Sequence, residues 1–153
     1  MTKYEKLLHI ADAKNLQIKE LPLNTYDGRI INNNIYIRKD INTTSEKACV
    51  LAEELGHYYT TVGNILDQSK AENRKQELQA RLVAYNKLIG LNGIIQAYKH
   101  GCRNRNEVAE YLEVAEQFLE DALYCYRGKY GIYKQTDNYI IYFEPCLSVI
   151  EIL

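Results

Sequence analysis

The chain has 153 residues, 46% of them hydrophobic and 25% charged, which is the composition of one ordinary globular domain or of a domain with a small appendage. Its formal net charge of −1 indicates no general affinity for nucleic acid or for anionic membranes. The charged N-terminus does not resemble a signal peptide, and no apolar run approaches the length of a membrane span. Four separated cysteines without a CxxC pair are typical of a reduced compartment, so the sequence predicts a cytoplasmic protein.

The first forty residues predict one helix and a small sheet. Apolar residues at helical spacing predict a helix over Tyr4–Leu16. Three short β-like stretches follow, over residues 17–19, 28–31 and 35–38, separated by proline, asparagine and glycine turns. A small, strongly twisted antiparallel sheet fits this pattern.

Helices dominate the rest of the chain, so the predicted fold class is α+β with helix dominant. The helical periodicity and the capping residues place them in chain order over residues 44–62, 74–89 and 94–99, then as a pair that meets at Glu113–Val114. The first helix of this pair is predicted to begin at an Asn106 cap and the second to end before Gly128. The tail from Tyr130 breaks at residues 136–138, as a terminal hairpin would.

The helix predicted over residues 44–62 carries a pattern typical of a metal site. Glu53 and His57 are four residues apart, about one helical turn, so both side chains can reach one ion. Glu54 lies one residue further, roughly 100° around the axis. This is the spacing of the H-E-x-x-H zinc peptidases, in which the carboxylate next to the first ligand activates a metal-bound water. Here glutamate stands in place of the first histidine.

A third ligand is required, and the next helix offers Glu77. Asn73, one turn earlier, could orient its carboxylate. Ala80 and Ala84 continue the row that begins at Glu77 and would allow a close approach to the Glu53–His57 helix. The alternative is that these polar residues form an ordinary solvent-facing surface, with Glu77 paired to Arg81 at i,i+4. The core stripe predicted on this helix consists of Leu78, Leu82, Tyr85 and Ile89.

Four segments together resemble the ImmA/IrrE family of metallopeptidases, notably its small phage and mobile-element members. They are EKACVLAEELGHYYTTVGNILDQS, NRKQELQARLVAYNKLI, NEVAEYLEV…FLEDALYCY and KYGIY…YIIYFEP. The resemblance covers nearly the whole chain and implies a zincin-like fold that cleaves a phage or element repressor. It implies that His57 and Glu77 are metal ligands, that Glu54 is the general base, and that Glu53 stands at the position of the usual first histidine. The corresponding division is a metallopeptidase-like core over residues 1–92, with residues 93–153 packed on it.

The glutamate at position 53 alters the expected chemistry. Ligation by Glu53, His57 and Glu77 would formally neutralise a divalent ion, which should then acidify its water less than a histidine-rich site does. Carboxylate-rich ligation shifts the preference from zinc towards manganese or iron without excluding zinc. Zinc remains the predicted cofactor, bound more weakly than by an H-E-x-x-H relative. Tyr58, Tyr59 and Tyr85 could donate to a developing oxyanion, or simply pack in the core.

The sequence also raises two other function classes, a DNA-binding protein and a catalytically silent binding module. The segment RNEVAEYLEVAEQFLEDAL has helix-turn-helix spacing, with a packed set at Val108, Ala109, Leu112, Val114, Leu119 and Ala122. Its second helix carries Glu116, Glu120 and Asp121, which would repel phosphates, so we expect no direct contact with nucleic acid and favour a protein partner such as the repressor. The other class is a catalytically silent module that inactivates the repressor by binding alone.

Overall fold

The structure is a computed structural model that describes residues 1–60 and 70–153, with side chains from residue 73 onward in the second range. These residues form six helices and six strands, which confirms the helix-dominated α+β class. They divide into two compact units, Met1–Ala84 and Tyr85–Leu153. The predicted boundary after residue 92 stays a prediction. None of the described helices combines the length and the apolar character needed to cross a membrane.

The first unit opens with helix α1, Lys3–Ala13. Its N-terminus has a capping box, in which the Glu5 backbone N–H donates to Thr2 Oγ1 at 3.2 Å and the Thr2 backbone N–H donates to Glu5 Oε2 at 3.0 Å. The helix ends before the predicted Leu16 because Asn15 adopts a left-handed conformation (φ 60°) and the Leu16 N–H folds back to Ala11 O.

A three-stranded sheet follows, built from β1 (Gln17–Leu21), β2 (Gly28–Ile31) and β3 (Asn34–Arg38) in the order β1-β3-β2. The pair β2–β3 is antiparallel, as predicted, whereas β1 pairs parallel with β3. The sheet is therefore mixed. The reason is the path of the chain. After β1 the chain forms β2 at the opposite edge of the sheet. The tight turn after β2 then reverses the chain, so β3 lies between β1 and β2 and runs in the same direction as β1.

Two long helices complete the first unit. Helix α2, Thr44–Thr60, begins within the predicted cap cluster, where Thr43 Oγ1 accepts the Glu46 N–H at 3.1 Å. Helical spacing predicts an apolar stripe at Ala48, Leu51, Leu55, Tyr58 and Val62. The first three are buried and Tyr58 is half-buried, while Val62 lies outside the described residues.

Helix α3, Lys70–Leu88, begins earlier than the predicted Arg74 and runs from the first unit into the second. Its predicted core stripe was wrong at Leu78, which is 56% exposed. Among the described side chains of α3 in the first unit, Ala80 and Ala84 are fully buried, and the Ala80 backbone lies against Gly56 of α2.

The second unit contains α4 (Gly90–His100), α5 (Arg105–Leu112), α6 (Glu116–Tyr130) and an antiparallel sheet β4-β5-β6. The sheet strands are Tyr133–Thr136, Tyr139–Tyr142 and Ser148–Glu151, so the predicted hairpin is extended by a third strand. All six predicted packing residues of the α5–α6 pair are buried. Glu113 ends α5 in the left-handed conformation (φ 57°), at the position where glycine is common.

Two predicted helix ends in this unit were wrong. The N-cap of α5 is Asn104, whose Oδ1 accepts the Glu107 N–H at 2.9 Å, and not Asn106. Helix α6 continues through Gly128 to Tyr130, because a glycine within a helix costs only about 1 kcal/mol and aromatic packing of Tyr130 on Phe143 retains the last turn.

Candidate metal centre

His57 and Glu77 meet between two helices of the first unit. His57 lies in the last turn of α2 and Glu77 lies in α3, and His57 Nε2 is 3.3 Å from Glu77 Oε2. The two side chains are 28% and 44% exposed, so a solute can reach both. The structure thus brings together two residues that the resemblance assigns as metal ligands.

The separation of these two atoms also fits a shared ion. A hydrogen bond between nitrogen and oxygen usually spans about 2.7–3.2 Å, so this contact is long for one. Two ligand atoms at adjacent corners of a tetrahedral zinc site, each about 2.0–2.2 Å from the metal, lie roughly 3.3–3.5 Å apart. The His57–Glu77 pair therefore has the spacing that two zinc ligands need.

Gly56 sets the distance between the two helices. A Cβ at Gly56 would lie 2.2 Å from the Ala80 carbonyl oxygen and 3.0 Å from its carbonyl carbon. Only glycine allows this approach, and the buried Ala80 supplies the matching small residue, as predicted. Sequence reasoning did not assign a role to Gly56. It explains why a glycine precedes the histidine in ELGH: the helices must touch here for Glu77 to reach His57.

Among the described residues of this unit, Glu54 has a pKa that departs far from its ordinary value. Burial, reinforced by the neighbouring charges of Glu53 and Glu77, raises the pKa of the Glu54 carboxyl to about 7. A general base works best when its pKa is near the operating pH, and this value meets that condition. The environment is therefore that of a largely desolvated carboxylate rather than of a solvent-facing one.

Strand β2 packs directly over Glu54. A Cβ at Gly28 would lie 2.6 Å from Val50 Cγ1 and 3.3 Å from Glu54 Oε1, so a larger residue here would force these side chains to shift. A glycine within a strand pattern indicates close backbone approach, and this was the available signal for a contribution of β2 to the site. Sequence reasoning had assigned the strand only to the sheet.

A cavity of about 490 Å³ lies along this contact. It is bordered by α2 at Glu54, His57 and Tyr58, and by β2 and the following turn. In the part of the chain that the structure describes, β2 is an outer strand of its sheet, so the cavity is bordered by an edge strand. The predicted general base, one predicted ligand and one predicted oxyanion donor therefore line one cleft.

Glu53 and Glu77 show how the predicted ligand set is arranged. Glu53 lies half-buried on α2, close enough for its charge to act on Glu54. Glu77 Oε1 is 3.4 Å from Arg81 Nε, so the predicted i,i+4 pair exists alongside the contact with His57. Among the described side chains, those of residues 1–60 and 73–153, no three histidines, cysteines, aspartates or glutamates are grouped closely enough to hold a metal. Two predicted ligands, His57 and Glu77, lie together, and Glu53 does not form a three-residue group with them.

The other predicted residues lie partly in the first unit and partly in the second. Asn73 borders the same surface depression as Glu77 and Arg81. The ring of Tyr59 packs edge-on against the ring of Tyr58, with centroids 5.4 Å apart. Tyr85 belongs to the second unit and is buried edge-on against Phe118, at 5.1 Å, which is the packing role that the sequence left open for it.

A comparison with protein families decides the affiliation. The family model of the M78 peptidases, described as an IrrE N-terminal-like domain, matches residues 11–124. The chain belongs to this family. The match spans both units, from α1 into α6, and confirms the resemblance drawn from the sequence. The family is one of metallopeptidases, which implies a divalent metal cofactor. No curated protein matches the chain.

Proposed function

We propose that this M78-family chain is a metal-dependent endopeptidase whose substrate is a phage or mobile-element repressor in the cytoplasm. His57 and Glu77 would hold the ion, and Glu53 is the predicted third ligand although it forms no three-residue group with them in the described part of the chain. Zinc is the first candidate, with manganese or iron as alternatives. The observation that carries the proposal is the His57–Glu77 contact of 3.3 Å beside a glutamate whose pKa is about 7.

Each residue has a defined task in this proposal. A bound divalent ion would supply polarisation of the peptide carbonyl and acidification of water. Glu54 would accept a proton from water and later deliver it to the leaving amine, which its near-neutral pKa allows in both directions. The edge of β2 would align an extended substrate by backbone hydrogen bonds, and Tyr58 would face the substrate within the cleft.

Repressor cleavage by the Glu54→Gln variant tests the proposal. Removing the base should slow cleavage at least 100-fold, since general-base catalysis contributes about 10²–10⁴-fold. The measurement is the rate at which purified repressor is converted to fragments in the presence of zinc. Glu110→Gln, which alters an exposed carboxylate on α5, is the matched control and should cleave at the parent rate.

A catalytically silent binding module is the second candidate. It is favoured by the glutamate at position 53 and by the lack of a grouped three-ligand set in the described residues. If binding alone inactivates the repressor, Glu54→Gln would still inactivate it and no fragments would appear with either protein. That outcome would remove the endopeptidase proposal.

Glu53→His should tighten zinc binding by roughly tenfold or more, because it restores the imidazole that zinc prefers at this position. Isothermal titration with zinc, on the parent and the variant side by side, provides the comparison. A manganese titration is the control, since the variant should gain less for an ion that prefers oxygen ligands. Equal zinc affinities would show that position 53 does not contact the ion.

A further inference from the structure

The second unit contains a cavity that the proposed peptidase chemistry does not use. It has a volume of about 440 Å³ and lies between the start of α5, helix α4 and the segment that leads into β6. Its apolar wall includes Ile94 and Val108, which are 1% and 6% exposed, and Val149 of β6. The cavity therefore places apolar surface beside β6, which is an outer strand of its sheet.

Strand β6 is the outer strand of its sheet, because it pairs on one side with β5 in the order β4-β5-β6. Val149 is paired with Ile141, which is fully buried, so both side chains point to the inner face of the sheet. A further strand added to β6 would place its inward side chains beside Val149. Those side chains would enter the cavity, since Val149 borders it.

The charge at this cavity has one sign. Of the described residues that border it, the charged ones are both arginines, Arg103 and Arg105. Arg105 makes a loose ion pair, with Nη1 3.7 Å from Glu120 Oε1. The Arg103 backbone N–H donates to Glu107 Oε2 at 2.6 Å, but neither Glu107 nor Glu120 borders the cavity. The charged side chains of the lining itself therefore complement an anionic ligand. Arginine suits this role because its guanidinium binds carboxylates with two parallel hydrogen bonds.

We propose that the β6 edge and its cavity bind an extended acidic segment of a partner protein. The segment would add to β6 as a fourth strand, insert an apolar side chain against Val149, and present a carboxylate two residues away, on the same face, to Arg103 and Arg105. Backbone hydrogen bonds between the segment and β6 would supply affinity, and the carboxylate of the segment would supply selectivity. The site acts by binding and does not depend on the chemistry proposed for Glu54.

Fluorescence anisotropy with short labelled peptides tests this site on the full chain. The probe is Thr-Leu-Thr-Glu-Thr-Leu-Thr, and the comparison peptide has lysine in place of the glutamate. We expect saturable binding of the acidic peptide and at least tenfold weaker binding of the lysine peptide. Arg103→Glu should weaken the acidic peptide at least tenfold, whereas the control Lys129→Glu, at an exposed position late in α6, should leave it unchanged.

Two further results bear on the proposal. Slower amide hydrogen exchange in residues 147–151 when the acidic peptide is present would support strand addition at β6. Equal binding of the two peptides, or unchanged binding by Arg103→Glu, would overturn the proposal. So would a dimer in sedimentation that Arg103→Glu dissociates, because a second copy of the chain would then occupy this edge.

Discussion

Replacing Gly56 by alanine is expected to lower the free energy of unfolding by up to about 2 kcal/mol and to abolish metal binding. The new methyl group would lie 2.2 Å from the Ala80 carbonyl oxygen, and the obstructing atoms are backbone atoms that cannot rotate away. Overpacking of this kind costs about 1–3 kcal/mol or more, which outweighs the roughly 1 kcal/mol that alanine gains over glycine in a helix. Helix α3 must shift, and the His57–Glu77 contact is then lost.

Gly128 provides the matched control. It also lies within a helix, but a Cβ there would meet no atom within 4 Å. Gly128→Ala should therefore raise the unfolding free energy by about 1 kcal/mol through helix propensity alone. Urea denaturation measures both variants, and zinc titration measures the site. If Gly56→Ala is as stable as Gly128→Ala, the helices do not approach as closely as described here.

Replacing Glu54 by glutamine is expected to stabilise the metal-free protein at pH 8. The folded state holds the pKa of Glu54 at about 7, above the ordinary 4.5, so ionising this carboxyl opposes folding. The parent protein should lose stability as pH rises from about 4.5 to 7, by at most about 3 kcal/mol, because each pKa unit corresponds to 1.36 kcal/mol. Glutamine fills the same space without charge, so this part of the pH dependence should vanish.

Urea denaturation between pH 4.5 and 8, with a chelator present, tests this expectation. The parent and Glu54→Gln curves should converge near pH 4.5 and separate towards pH 8, with the variant the more stable. Glu110→Gln, at an exposed position, should follow the parent throughout. Parallel parent and Glu54→Gln curves would mean that Glu54 is an ordinary solvent-facing carboxylate, as the plain surface-helix interpretation holds. A functional carboxylate that lowers stability is the expected cost of an active site.

The sequence was most informative where a feature depends on one element. Helical periodicity located α2 and α3, and the E-E-x-x-H spacing placed Glu53, Glu54 and His57 on neighbouring positions of one helix. The inter-helix partner Glu77 came from a row of small residues and from family resemblance, and the contact with His57 agrees with it.

Features that depend on how elements pack were missed. The parallel pairing of β1 with β3 follows from the path of the chain, which periodicity does not encode. The roles of Gly28 and Gly56 depend on which atoms approach them from another element. Leu78 was assigned to the core by its spacing, yet it is exposed, whereas Ala80 and Ala84 are buried and the Ala80 backbone lies against Gly56 of α2. The sequence pattern predicts an apolar face of a helix, but packing against neighbouring elements decides which face is buried.

Zinc stoichiometry of the purified chain tests the central claim most directly. Titration followed by elemental analysis of the dialysed protein should find one ion per chain. His57→Ala and Glu77→Ala should each lose it, although their residues lie on different helices, and Glu110→Gln should retain it. A parent chain that binds no zinc, manganese or iron, or one whose binding survives both substitutions, would contradict a metal centre between α2 and α3.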